Sequence, residues 1–118
     1  MRVAYHANYL VWCEMGRTDF IRTHIRSYAE VEREGVVLAV ADASIRFHAA
    51  ARYDDLVRIE TTLTEVHSRM LAFEYLILRA ADGARLATAR TTLIAIGPDH
   101  KPRTIPTELR EQLARVKA

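Results

Sequence analysis

His6 carries the clearest chemical capacity in the first stretch of this chain. It stands at the head of an amphipathic helical pattern running from about Tyr5 to Ile25. The first N–H groups of a helix have no intrahelical partner and sit at the positive end of its dipole, so they suit an anionic oxygen. The backbone N–H of Tyr5 or His6 is the candidate donor, and an imidazole beside it, with an unperturbed pKa near neutral, can orient a carbonyl or move protons. The same histidine can equally do no more than bond nearby backbone. Asn8 and Tyr9 follow on the first turn, where they either line a pocket or, for Tyr9, pack into the core. Glu14 is an acid within the apolar half of this helix. Eight positions from His6, it lies about 12 Å along the axis, too far to share one carbonyl. It is expected instead in an ion pair or hydrogen bond to a neighbouring strand or subunit.

Other chemistries find little support. His24, His48 and His100 show neither an i, i+4 partner nor a His-x-Glu spacing, so no metal site is expected. The single cysteine, Cys13, lies on the apolar helical face and is expected to be an inert buried thiol. No Gly-x-Ser-x-Gly elbow is present.

The elements that must position these residues can be read from periodicity. Tyr9, Trp12, Cys13, Gly16 and Phe20 fall at helical offsets, with Leu10 and Met15 widening the stripe. A helix apolar over so much of its circumference calls for a concave partner, and Gly16 permits a close approach. Trp12, Met15 and Phe20 are expected in core or dimer contacts. Ser27 to Gly35 reads as a polar loop. Strand alternation then begins at Val36, Leu38 and Val40 and slips phase into Ala41, Ala43, Ile45 and Phe47, which predicts a bulge. Val57 to Leu63 alternates next, and Met70 to Leu78 reads as a strand buried on both faces. Asp82-Gly83 marks a tight turn before a strand from Leu86 to Ile96 that ends at Gly97-Pro98. Pro106 suits the first position of a short helix with Leu109 and Leu113 inward. One helix followed by strands on short turns makes an antiparallel α+β layer fold, a curved sheet wrapped round a helix. Exposed sheet edges in such a fold favour edge-to-edge association.

Three stretches resemble the hotdog-fold acyl-CoA thioesterases, in the branch of 4-hydroxybenzoyl-CoA thioesterase and the YbgC-like enzymes. They are Tyr5-His6-Ala7-Asn8-Tyr9-Leu10 with Glu14, Gly16 and Arg17; Phe47 to Asp55 with its Tyr53-Asp54-Asp55; and Arg69 to Tyr75 with Phe73-Glu74-Tyr75 ahead of the Asp82-Gly83 hairpin. The resemblance spans nearly the whole chain. Ala50 stands where that branch often has proline, and Arg2 where it has glycine. The resemblance implies a hotdog domain over residues 1–118 that hydrolyses an acyl- or aroyl-CoA thioester. It implies Tyr5 as the oxyanion donor with His6 beside it, and the turn His67-Ser68-Arg69, of which only Arg69 is fully cationic, toward the coenzyme A nucleotide. Asn8 and Tyr9 are candidates to line the acyl pocket, and Arg52 and Arg90 are alternative phosphate contacts. No separate cofactor is implied, coenzyme A being part of the substrate. The family's catalytic aspartate would fall just upstream of Met1, as would its first strand, so the 118-residue chain is expected to show weak activity or none. A homodimer or homotetramer with interface active sites is implied. The alternative is an inactive hotdog module that binds acyl-CoA or serves in assembly.

Length and composition fit these expectations. At 118 residues and 13.5 kDa the chain can carry one core, and its 50% apolar content excludes a disordered chain. A formal net charge of +2, with scattered arginines, argues against nucleic-acid and anionic-membrane partners. One cysteine and no visible signal peptide point to the cytoplasm.

Overall fold

The structure, a computed structural model, describes residues 6–52 and 55–118, with backbone alone at positions 6 and 7. Helix α1 (His6–His24) leads into a short α2 (Tyr28–Arg33). Four strands follow, β1 (Val37–Phe47), β2 (Val57–Val66), β3 (Met70–Arg79) and β4 (Arg85–Ile96), and α3 (Thr107–Val116) ends the chain. The strands form one antiparallel sheet in the order β1-β4-β3-β2. The α+β reading therefore holds, with a long helix against a four-stranded sheet and a short terminal helix.

One face of the sheet carries Leu63 from β2, Leu71, Phe73, Tyr75 and Ile77 from β3, and Leu93 and Ala95 from β4, all buried. Tyr9, Cys13 and Ile21 of α1 close over it. Phe20 meets Phe73 edge-on with ring centres 5.7 Å apart. Leu109 and Leu113 of α3 complete the core, as their spacing predicts. Pro106 precedes α3 as its N-cap, one position earlier than expected.

The phase slip at Val40 is a real bulge: Val40 pairs Leu93 and Asp42 pairs Thr92, leaving Ala41 unmatched. The Asp82-Gly83 turn is also present, with Gly83 at φ +71, a region open to glycine without a side-chain clash. β3 is buried on both faces at Ala72 and Leu78. In β4 the buried face carries Ala87, Ala89, Thr91, Leu93 and Ala95, and Thr88, Arg90, Thr92, Ile94 and Ile96 line the outer face. The loop expected over Ser27 to Gly35 is instead α2. Ser27 caps it by accepting the Glu30 N–H at 3.3 Å, and the Tyr28 hydroxyl accepts the Leu38 N–H at 2.8 Å, tying α2 to β1. Val31 then buries its side chain.

Gly16 sets the approach of α1 to β2. A Cβ there would stand 2.5 Å from Thr61 Oγ1 and 3.0 Å from Ile59 Cγ2, closer than real contacts allow. Leu10, Val11 and Met15, on the side of α1 away from the sheet, stay 47 to 59% exposed. The sheet thus covers only part of the apolar circumference.

Gly16→Ala should lower stability by about 1–2 kcal/mol, because crowding of ~1–3 kcal/mol outweighs a helix gain of ~1 kcal/mol. Urea unfolding should show this loss, and adding Thr61→Ala should recover most of it. A Gly16→Ala chain as stable as the parent would show that the approach is not tight.

Candidate active site at the N-terminus of α1

The strand register gives the sheet two ends. Phe47, Ala87 and Ile77 align at one end, and Val37, Ile96 and Met70 lie toward the other. Helix α1 starts at the Phe47 end. There Tyr9, 2% exposed, packs edge-on against Phe47 at 5.0 Å and Trp12 at 4.8 Å. Its hydroxyl accepts the buried N–H of Ala51 at 3.3 Å. This bond joins the first turns of α1 to the loop 48–56 between β1 and β2. Asn8, beside Tyr9, is exposed. Tyr5, Tyr53 and Asp54 lie outside the described residues, as does the side chain of His6. Glu14 is exposed, and no ion pair joins it to another described side chain.

The loop is held from β3. Arg79 Nε donates to Asp55 Oδ2 at 3.1 Å, Nη2 to the Ala50 carbonyl at 3.1 Å, and Nη1 to Asp82 Oδ2 at 3.1 Å. The Arg52 N–H also donates to Asp55 Oδ2, at 2.8 Å. That backbone bond, with the Arg79 guanidinium, holds the Asp55 carboxyl below its ordinary 3.8. Sequence reasoning singled out Tyr53-Asp54-Asp55 but not Arg79, whose loop partners lie 24 and 29 residues away.

The basic residues proposed for the nucleotide do not gather here. His67 and Arg69 are exposed on the β2–β3 turn, at the opposite end of the sheet from the start of α1, about 30 Å along ten-residue strands. His67 Nε2 pairs with Glu65 at 2.9 Å. Arg90 lies on the outer face and is bound to the other oxygen of Glu65. Arg52 is exposed on the loop itself.

Farther along the sheet, by Gly16 in the middle of α1, Tyr75 and Thr91 share a buried hydroxyl–hydroxyl bond of 2.7 Å. Arg17 stands beside Tyr75 and Cys13. Burial pushes the Cys13 thiol up to about 11, against the opposing charge of Arg17. Cys13 should therefore react with an aromatic disulfide at pH 8 only as fast as the chain unfolds. A rate independent of the unfolding step would overturn its burial.

Comparison with known proteins matches this arrangement. The family model described as the thioesterase-like superfamily matches residues 1–113. The acyl-CoA thioester hydrolase YbgC of Escherichia coli O6:H1 is 31% identical over 91% of this chain and 80% of its own length. Among solved structures, the hypothetical protein TT1821 from Thermus thermophilus superposes with a TM-score of 0.90 at 31% identity, covering 97% of this chain and 86% of that one. The DHNA-CoA thioesterase from Staphylococcus aureus gives 0.90 at 28% identity, over 97% and 78%. No helix among the described residues is long and apolar enough to cross a membrane. A long helix capped by a sheet-held loop at its N-terminus, in a chain matched almost end to end, is the hotdog fold, and the protein belongs to the thioesterase-like superfamily.

Proposed function

We propose that this protein hydrolyses the thioester of an acyl- or aroyl-coenzyme A to the free acid and coenzyme A, in the cytoplasm. The observation that carries this reading is the seating of the α1 N-terminus against the loop 48–56, in a chain similar to YbgC over most of its length. The thioester oxygen takes up negative charge as its carbonyl becomes tetrahedral. The leading N–H groups of α1, with Tyr5 as the donor, receive that charge. His6 orients the carbonyl or passes the proton, and the exposed Asn8 borders the acyl group, while the buried Tyr9 holds Ala51 beneath it. Water attacks, the C–S bond breaks, and the thiolate leaves with a proton. A general base takes the proton of the attacking water, and by family resemblance that base is an aspartate.

The site is completed by a second copy. β1 is an edge strand with Val37, Val40 and Phe47 exposed, and α1 leaves Leu10, Val11 and Met15 uncovered. Antiparallel pairing of two β1 edges about a two-fold axis brings the His67–Arg69 turn of one copy to the sheet end where α1 of the other begins. That arrangement reconciles the separation within one chain with a role for both groups in one site. A tetramer of such dimers is compatible with the same edge pairing.

Two measurements test this reading. On a panel of acyl- and aroyl-CoA thioesters, followed by thiol release, the protein should hydrolyse at least one. Binding of these thioesters without hydrolysis would favour an acyl-CoA-binding module. His6→Ala and Arg69→Ala should each lose activity. Mixing the two after subunit exchange should restore roughly a quarter of the parent rate, since half the dimers then carry one intact site of two. No gain on mixing would place both groups in one chain's site or outside it.

A further inference from the structure

We propose that Arg79 is a positioning residue for this site, holding the loop 48–56 against the first turns of α1; the proposal rests on the thioesterase reading above. Arg79 ends β3 and touches none of the candidate reacting groups. Its guanidinium reaches three acceptors on two stretches at once, the Ala50 carbonyl and Asp55 carboxylate of the loop and the Asp82 carboxylate of the β3–β4 turn, each at 3.1 Å. Asp55 in turn accepts the Arg52 N–H, and Asp82 accepts the Ala84 N–H at 3.0 Å, so both acids are fixed to their own backbones. The side chains of Arg79 and Asp55 are only 21% and 16% exposed.

The consequence falls on Ala51, which follows Ala50 and donates to the Tyr9 hydroxyl. At its ends the loop is pinned independently, by the His48 and Ala49 N–H groups on the Leu86 carbonyl and by the Ala80 N–H on the Leu56 carbonyl. Between those pins, Arg79 supplies the cross-links from outside the loop to Ala50 and Asp55. A planar fork with several N–H donors can satisfy three acceptors in different directions, whereas a lysine ammonium on its flexible stem cannot hold that geometry. Because misplacement of about 1 Å can cost roughly 100-fold in rate, a loop free to drift from the helix N-terminus would slow the chemical step more than it weakens binding.

The test uses Arg79→Ala and Arg79→Lys in the full chain in its active form. Arg26→Ala is the comparison, because Arg26 makes a similar clamp on Glu34 and Gln112 at the other end of the molecule. Three quantities are read: kcat and KM on the best thioester of the panel, hydrogen exchange of the peptide spanning residues 49–55, and the melting temperature. Arg79→Ala should lower kcat by about tenfold or more with KM within about threefold, and should speed exchange in the loop by about tenfold. Arg79→Lys should fall between it and the parent. Arg26→Ala should lower the melting temperature with kcat within about twofold. The proposal is overturned by an Arg79→Ala kcat within about twofold of the parent, or by equal kcat losses in Arg79→Ala and Arg26→Ala. If the parent hydrolyses no thioester, the functional reading fails by itself, and unchanged loop exchange in Arg79→Ala then overturns the anchoring role as well.

Discussion

The spacing between α1 and the sheet governs everything else in this molecule. It is set at Gly16, whose lack of a side chain lets α1 close on Thr61 and Ile59 of β2 and on Tyr75 of β3. With the backbones this close, Tyr9, Cys13 and Ile21 reach full burial without a second layer of side chains. The helix N-terminus stands at the Phe47 end of the sheet, where Tyr9 meets Phe47 and Ala51. The candidate site is in this sense a product of packing. A helix held farther out would present its first N–H groups to solvent, where water weakens any interaction with a developing charge.

Much of the fold was legible because it follows periodicity. The stripe of α1, the slip at Val40 and the turn at Asp82-Gly83 each carry a local signal that tertiary contacts reinforce. α2 was not legible as a helix, because six residues are too few to show a period and only Val31 among them is buried. Its local signal was the cap, Ser27 followed three residues later by Glu30.

The site was legible only in part, and the division has a physical basis. A histidine at the head of a helix is a local feature, as is an acidic pair after a tyrosine. The arginine that restrains the loop is not, since its partners come from across a strand and a crossover. Arg90 shows the converse. It shares strand parity with Thr88 and Thr92, on the face away from the helix, and is engaged there by Glu65. His67 and Arg69 look adjacent to the site only when resemblance is read without topology, because the sheet separates the ends of a single chain.

The strand order has a kinetic consequence. β2, β3 and β4 are joined by short turns, so their pairing closes small loops and can form early. β1 joins β4 across the whole β2–β3 hairpin, so that Phe47 finds Ala87 only after the intervening chain is in place. The loop 48–56 belongs to this late closure. Of the three strand pairings, β1 with β4 thus closes the longest stretch of chain, and it is the pairing that brings the surroundings of the candidate active site to the helix N-terminus.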